Sequence, residues 1–189
     1  RGYQPRGRTL GGSSAINAMI YTRGHPSDYD AWAAAGNPGW AWHEVLPWFR
    51  LSEDNERGED AWHGVGGPLR VSDLRSPNAI CEDFLRAGEQ AGFVRNADFN
   101  GATQEGLGLY QVTQANGERC SAARAFLAPV RARANLTVIT RAHATRILFE
   151  KDRAVGVEFR QGGATKIVRA TREVVLAAGA LQSPQLLML

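Results

Sequence analysis

The last third of the chain limits the possible folds of the protein most strongly. Apolar and polar residues alternate there over several short runs. Such alternation predicts β-strands with one buried face, and we expect strands at LTVIT, ATRILFE, AVGVEFR and TKIVRA, from Leu136 onward. Turn-like pairs separate the runs, at Arg141–Ala142, Asp152–Arg153 and Gly162–Gly163. This part of the chain is therefore predicted to form a sheet.

A continuous apolar run, VVLAA from Val174 to Ala178, follows these strands. A run without alternation predicts a strand buried on both faces. It stops at Gly179, and Ser183–Pro184 then predicts the start of a helix. Strand, glycine turn and helix make half of a βα unit, in which ligands bind at the carboxyl end of the strand.

The first two thirds of the chain predict mostly helices. HPSDYDAWAAAG is a predicted helix with Pro26 at its first position and Gly36 beyond its end. RSPNAICEDFLRAGEQAGF is another, with Ser76 as N-cap, Pro77 at N1 and Gly92 as the stop. Its apolar face is Ile80, Phe84, Ala87 and Ala91.

Two further segments carry local signals. WAWHEVLPWFRLSE is dense in aromatic residues, which indicates either packing or the wall of a pocket. GLYQVTQANGERCSAARAFL predicts a strand, a turn at Asn116–Gly117 and another helix.

Composition and charge exclude several classes of function. Lys and Arg total 22 against 19 acidic residues, a net charge of +3, and the charges are dispersed. This argues against a nucleic-acid partner and against a basic membrane-binding face. No run reaches the roughly 18 apolar residues of a membrane span. No signal peptide is visible, and because the chain begins at Arg1 without a methionine, we expect an internal piece of a longer protein.

The cysteines and histidines predict neither a disulfide framework nor a metal site. Cys81 and Cys120 form no CxxC pair, which fits a reducing cytoplasmic compartment. No metal-ligand spacing links the four histidines, His25, His43, His63 and His143. We interpret them as ordinary polar residues of loops, a helix and a strand edge.

The densest signal is GRTLGGSSAINAMIY, Gly7 to Tyr21, with a predicted helix from about Ser13 to Tyr21. A P-loop would need a lysine after the final glycine, and none is present. A nucleophile elbow with Ser13 would need a closing glycine and a preceding strand, so an acyl-hydrolase is a remote alternative. Glycine-exposed amides that bind a phosphate or a carbonyl-rich ring, and a capped helix without any ligand, both stay open.

This stretch resembles the first signature of the glucose–methanol–choline oxidoreductases, a family of FAD-dependent alcohol-oxidising enzymes. Gly7 to Asn17 match it, followed by Tyr21, Gly24 and Asp30. Gly179 to Leu187 resemble the second signature, Gly-Ala-x-x-Ser-Pro-x-Leu-Leu, although the chain ends before its closing residues. The middle of the chain is also similar, especially to the bacterial alcohol and choline dehydrogenase branch.

The resemblance implies a mixed α+β fold: part of a Rossmann-like FAD-binding domain with a β-meander, and part of an antiparallel-sheet substrate domain. We expect FAD-domain segments at residues 1–25 and 131–189, a lid or aromatic segment at 26–70 and a substrate-domain segment at 71–130. The strands LTVIT and VVLAA would then belong to the FAD domain, with the hairpins between them as its meander.

The resemblance also implies which residues contact FAD. They are Thr9, Leu10, Gly11, Gly12, Asn17, Ala18, Met19 and Ile20, with a backbone contact to adenine at Ala144. Ile16 stands where some members carry a histidine bonded to the flavin, so FAD should be noncovalent here. The family's GxGxxG turn is missing, so the chain alone should bind FAD weakly or not at all.

No catalytic residue is assigned, because the family's histidine pair or histidine–asparagine pair matches none of the four histidines. The expected parent protein oxidises a primary alcohol, aliphatic or choline, to the aldehyde by hydride transfer to flavin. The parent is expected in the cytoplasm, with peripheral association with the inner membrane left open, as is its electron acceptor. The alternative from another class is a noncatalytic scaffold or cap module without cofactor.

Overall fold

The computed structural model describes residues 2–189 and divides into two compact units, Arg1–Arg133 and Ala134–Leu189. The first unit contains helices α1 (Pro26–Ala34), α2 (Trp42–Ser52) and α3 (Ala79–Gln90), with strands β1 (Glu53–Asn55), β2 (Leu69–Val71), β3 (Gln114–Ala115) and β4 (Glu118–Arg119). The second contains strands β5 (His143–Glu150), β6 (Arg153–Gln161) and β7 (Ala164–Arg169) and helix α4 (Gln182–Leu187). The expected mixture of helices and small sheets is confirmed.

Helix α1 begins and ends where its local sequence predicts. Pro26 occupies the first turn, the His25 ring accepts from the Ser27 amide, and the Asp28 carboxylate accepts from the His25 amide at 2.8 Å. The chain leaves the helix through Gly36, whose φ of 95° favours glycine.

Helix α3 differs from its prediction in two details, the N-cap and the buried face. Its N-cap is Asn78, whose side chain accepts from the Ile80 amide at 3.1 Å, and not Ser76. Within residues 2–189 the predicted apolar face is exposed, with Ile80 at 67% and Phe84 at 66%. The helix instead buries Leu85 and packs closely at Gly88, where a Cβ would overlap the Leu107 side chain. The periodicity identifies an apolar face but cannot say which part of the chain covers it.

The predicted turn at Asn116–Gly117 is confirmed. Both residues have positive φ, 53° and 80°, as a tight two-residue hairpin requires, and they join β3 to β4. The predicted helix that follows is short and irregular, a π-helix over Ala123–Leu127 and a 3-10 turn over Ala128–Val130.

The first unit is organised around the parallel pair β1–β2. Glu53 lies opposite Leu69 and Asn55 opposite Val71. The Ser72 amide donates to the Val112 carbonyl at 2.9 Å, and the Val112 amide donates back to Ser72 at 2.8 Å. The apolar core here consists of Val71, Leu85, Val112, Cys120 and Ala125. Tyr29 and Val45 are also buried, beside the other aromatic residues.

The second unit is an antiparallel meander in the order β5–β6–β7, as expected. Ile147, Val155 and Phe159 form its buried residues. The predictions of strands at LTVIT and at VVLAA are wrong for residues 2–189, since neither segment pairs with another strand there, and Val175 is 80% exposed. An apolar run becomes a strand only where a neighbouring strand accepts its backbone hydrogen bonds.

A cluster of charged side chains lies buried beside β1. Glu53 is completely inaccessible, and its carboxylate accepts from the Arg23 guanidinium and from Nδ2 of Asn55. The His63 ring lies between two carboxylates, with Nδ1 3.0 Å from Oε1 of Glu53 and Nε2 2.8 Å from Oδ2 of Asp98. We call Arg23, Glu53, His63 and Asp98 the ion cluster.

The ion cluster shifts the protonation of its members. Hydrogen bonds to Asp98 and then to Glu53 raise the pKa of His63 from 6.5 to about 9, so the ring is a cation at neutral pH. Burial alone would raise the pKa of Asp98, but hydrogen bonds from His63 and the Asn100 amide together lower it. The cluster at neutral pH therefore pairs two cations with two anions.

Truncating the core of the first unit should destabilise the protein. Val71→Ala, at a fully inaccessible position, should lower the free energy of unfolding by roughly 2 kcal/mol through lost burial and a cavity. Val175→Ala at an exposed position of the second unit is the matched control and should change it by less than about 0.5 kcal/mol. Urea titration measures both, and equal effects would contradict the assignment of the core.

Stability should fall on the alkaline side because of His63. Its pKa is higher folded than unfolded, so its contribution is complete below about pH 6.5, declines above it and is gone beyond about pH 9. The loss should approach about 3 kcal/mol at most, from 1.36 kcal/mol per pKa unit. Urea unfolding from pH 6 to 9.5 measures it. A stability that stays constant over this window, or the same slope in His63→Gln, would contradict the prediction.

Candidate functional site

The glycine-rich stretch near the amino terminus forms a tight turn and one short helix. The Gly12 amide donates to the Thr9 carbonyl at 2.9 Å, and Gly11 and Gly12 have φ of 89° and 54°. A 3-10 helix then covers only Gly12–Ala15. The prediction of a helix from about Ser13 to Tyr21 is therefore wrong.

The helix stops because the following backbone pairs with a distant part of the chain. Met19 has a φ of 63°, and its carbonyl accepts from the Thr113 amide at 2.8 Å. The Tyr21 amide donates to the Gln111 carbonyl at 2.9 Å, beside a bridge between Ile20 and Val112. Pairing between segments overrides the local helix preference here, as tertiary contacts commonly do.

The two serines of the stretch have structural hydrogen bonds. The Ser13 hydroxyl accepts from the Gly7 amide at 3.2 Å. The Ser14 hydroxyl donates to the Gly11 carbonyl at 2.5 Å and accepts from the Ala122 amide at 2.9 Å. Among residues 2–189, no histidine or carboxylate is hydrogen-bonded to Ser13, so the geometry offers no support for a serine nucleophile.

The glycines of the turn have two different surroundings. A Cβ at Gly7 would overlap the carbonyl oxygen of Gly12, so Gly7 permits the chain to cross itself closely. Gly12 has no protein atom within 4 Å of the position of a Cβ. The backbone of Gly12 thus faces open space in which another molecule could approach it.

The second half of the stretch, Asn17 to Ile20, forms a surface strip attached at both ends. Oδ1 of Asn17 accepts from Nη1 of Arg119 at 2.7 Å and from the Met19 amide at 3.1 Å. Asn17, Ala18 and Ile20 are exposed, and so are Thr9 and Leu10 in the turn. We call residues 9–20 the cradle segment.

The structure places eight of the nine sequence-predicted contact residues in the cradle segment of the first unit. The ninth, Ala144, lies in β5 of the second unit, opposite Phe159 of β6. It is half-buried and stands beside an irregularity between Ala144 and Arg146. Strand irregularities of this kind expose backbone groups that a regular ladder would occupy.

Some aromatic residues of the first unit pack against one another, and others line a groove. Tyr29 packs against Trp32, Trp42 and Phe49 with ring centroids 5.4–5.8 Å apart. Trp40 and Trp48 are exposed and line a groove of about 540 Å³ together with Tyr29, Val45 and Phe49. That volume lies in the range of small-molecule sites, and its walls are apolar.

The ion cluster is the feature that sequence reasoning missed. Sequence analysis interpreted His63 as an ordinary polar residue, whereas the structure buries it between two carboxylates. The partners Arg23, Glu53 and Asp98 are far from one another in sequence, so no local pattern could reveal the cluster. Arg23 lies three residues after the cradle segment, just past the isolated bridge between Ile20 and Val112, which connects the cluster to the candidate site.

The remaining metal-binding and redox candidates carry no site. Over the described residues 2–189, no group of three or more potential ligands could hold a metal ion. Cys81 and Cys120 are both free thiols. His25 serves as a helix cap, His43 is exposed on α2, and His143 begins β5. In the part of the chain that is described, no helix is long and apolar enough to cross a membrane.

Comparison with known proteins agrees with the two signatures. An alcohol dehydrogenase [acceptor] from Pseudomonas putida is 50% identical over 190 residues, covering 99% of this chain and 34% of that protein. An oxygen-dependent choline dehydrogenase from Sinorhizobium medicae is 46% identical over 185 residues, covering 98% and 34%. The chain thus spans about a third of the length of these relatives.

Solved structures agree as well. An FAD-dependent oxidoreductase from Chaetomium thermophilum superimposes with a TM-score of 0.89 at 30% identity, covering 96% of this chain and 34% of that one. The family match extends over residues 1–189. Since the match spans the whole chain, and the turn, hairpin and meander have the fold of such structures, the chain belongs to the GMC oxidoreductase family.

Proposed function

We propose that this chain supplies part of the FAD site and part of the substrate region of an enzyme that oxidises a primary alcohol to the aldehyde by hydride transfer to flavin. Family membership and relatives named for alcohol and choline oxidation support the reaction class. The observation that carries the proposal is the open face of Gly12 in a turn held rigidly from behind.

The residues present fit a dinucleotide cofactor. The turn of Thr9, Leu10, Gly11 and Gly12 would lie against the pyrophosphate, since glycine without a side chain lets the backbone come close to phosphate oxygens. The strip of Asn17, Ala18, Met19 and Ile20 would lie against the flavin ring, and the Ala144 backbone against adenine. Bound FAD would supply the hydride acceptor, and the protein would orient the alcohol beside it.

Attachment of the cofactor would be noncovalent at Ile16, because a hydrocarbon side chain cannot form the bond that histidine makes in some members. The chain also lacks the GxGxxG turn that binds the other side of a pyrophosphate. We therefore expect binding of FAD by this chain alone to be weak.

We assign no catalytic base within the chain. His25 and His63 are engaged in the helix cap and the ion cluster, and neither His43 nor His143 lies in the cradle segment. The second candidate function, a scaffold or cap module without cofactor, would follow if FAD does not bind.

The aromatic groove is compatible with both proposed classes of substrate. An aliphatic alcohol would pack on Trp40, Trp48 and Phe49, and the quaternary ammonium of choline would interact with the faces of the same rings. We propose a cytoplasmic location for the enzyme, assign no electron acceptor, and expect neither nucleic acid nor a membrane span.

Filling the open face of Gly12 should weaken FAD binding. Gly12→Ala should raise the Kd for FAD at least tenfold, because the added methyl group projects to where the pyrophosphate would approach. Gly162→Ala is the matched control, since Gly162 has a nearly equal φ of 58° and equally open surroundings. Quenching of flavin fluorescence measures Kd. Equal losses in both variants would contradict the cofactor assignment.

The chain alone should not turn over. With FAD, choline or an aliphatic alcohol, and a dye acceptor, reduction of the dye should stay at the background of FAD without protein. Measurable turnover would show that a base lies within these residues. Labelling of Ser13 by a fluorophosphonate probe would instead favour the acyl-hydrolase alternative.

A further inference from the structure

We propose that His63 is a positioning residue for the cradle segment: the protonated ring bridges Glu53 and Asp98, these carboxylates hold the Arg23 side chain and, through Asn100, the backbone at Tyr21 and Arg23, and loss of the proton releases them. Nothing in this coupling requires the cofactor. Its consequence for FAD affinity alone rests on the proposed function.

The first connection runs through Glu53. Nδ1 of His63 is 3.0 Å from Oε1 of Glu53, and the other oxygen of Glu53 accepts from the Arg23 guanidinium. Nη1 of Arg23 also donates to the carbonyl of Trp62, the residue before His63, at 2.7 Å. The Arg23 side chain is thus held at two points, by Glu53 of β1 and by the backbone next to His63.

The second connection runs through Asp98. Nε2 of His63 is 2.8 Å from Oδ2 of Asp98, whose other oxygen accepts from the Asn100 amide at 2.9 Å. Oδ1 of Asn100 accepts from the Arg23 amide at 2.8 Å, and its Nδ2 donates to the Tyr21 carbonyl at 3.1 Å. The connection through Glu53 thus ends on the Arg23 side chain, and the connection through Asp98 ends on the backbone of Tyr21 and Arg23.

Tyr21 to Arg23 continue directly into the cradle segment. Tyr21 pairs with Gln111 and Met19 with Thr113, and the strained φ of 63° at Met19 must be maintained by such contacts. Asn17 to Ile20 therefore lie between the 3-10 helix and the backbone of Tyr21–Arg23, the anchor whose position depends on the ion cluster. If the anchor loosens, the exposed strip loses its defined position.

The proton is essential to this arrangement. A neutral imidazole has only one N–H, so one of the two carboxylates would face a lone pair at about 3 Å and lose its hydrogen bond. The buried groups would also carry an uncompensated negative charge, which is costly. Nδ2 of Asn55 lies 3.0 Å from Nδ1 but donates to Glu53 and Gln111 instead when that nitrogen is protonated.

Other charged or titratable groups face the cluster. The Asp60 carboxylate accepts from the His63 amide, and the Arg50 guanidinium donates to the His63 carbonyl. Burial raises the pKa of Tyr21 above its usual value of 10. The groups that surround His63 are Arg23, Arg50, Glu53, Arg57, Asp60, Asp98 and Tyr21.

Amide hydrogen exchange on the full 189-residue chain tests the coupling directly. At pH 7, His63→Gln should increase exchange of residues 17–23 at least tenfold, while the parent chain protects them. His43→Gln, the same substitution at an exposed histidine of α2, is the control and should leave exchange unchanged. Unchanged protection of residues 17–23 in folded His63→Gln would overturn the proposal.

The pH dependence separates positioning from general support of the fold. After correction for intrinsic exchange, protection of residues 17–23 in the parent chain should fall with a midpoint near pH 9. Asp98→Asn keeps the acceptor for the Asn100 amide but removes one charge, so the midpoint should move to lower pH with the fold retained. Asp98→Asn also tests the coupling if His63→Gln does not fold. An unmoved midpoint, or loss of protection throughout the first unit at once, would overturn the proposal.

Titration of these variants and of the two glycine variants with FAD distinguishes the two proposals. If exchange responds as expected but Gly12→Ala weakens FAD binding no more than Gly162→Ala does, the cofactor assignment fails and the positioning role stands. If the parent chain binds FAD and His63→Gln binds it equally well with unchanged exchange, the positioning role fails alone.

Discussion

The rest of the first unit depends on one buried carboxylate, that of Glu53. An ionised group without solvent contact is tolerated only when hydrogen bonds and opposite charge surround it, and here Arg23, Asn55 and His63 supply them. These partners come from three separate parts of the chain. Satisfying one carboxylate therefore brings together the segment after the cradle segment, β1 and the loop that carries His63.

Glycine and serine residues have different roles in the structure of the cradle segment. Gly7 allows two backbone segments to cross, and Gly12 leaves its outer face open. The hydroxyls of Ser13 and Ser14 form hydrogen bonds with backbone groups on one side of the turn. The opposite side of the turn is therefore available to a ligand. The segment is thus hydrogen-bonded on one side and accessible on the other.

Local chemistry explains which sequence predictions succeed. Pro26 and Gly36 delimit α1, Asn116–Gly117 turn the β3–β4 hairpin, and Gly162–Gly163 turn β6 into β7, because each acts on the backbone within a few residues. The N-cap of α3, Asn78 in place of Ser76, was missed by two residues, and the larger failures required a distant partner. VVLAA lacks a neighbouring strand in the described chain, the face of Ile80 and Phe84 lacks a cover, and the predicted helix at Ser13–Tyr21 yields to pairing with Gln111–Thr113.

The sequence by itself determined the turns, the ends of α1, the alternating strands of the meander and the two signatures by which the family is recognised. Only the tertiary structure decided that His63 is a buried cation, that Arg23 is tied to Glu53, and that Met19 adopts a left-handed backbone. The physical reason is the range of the forces involved. Backbone preferences act within a few residues, whereas the cost of a buried charge is removed only by groups that folding brings from far along the chain.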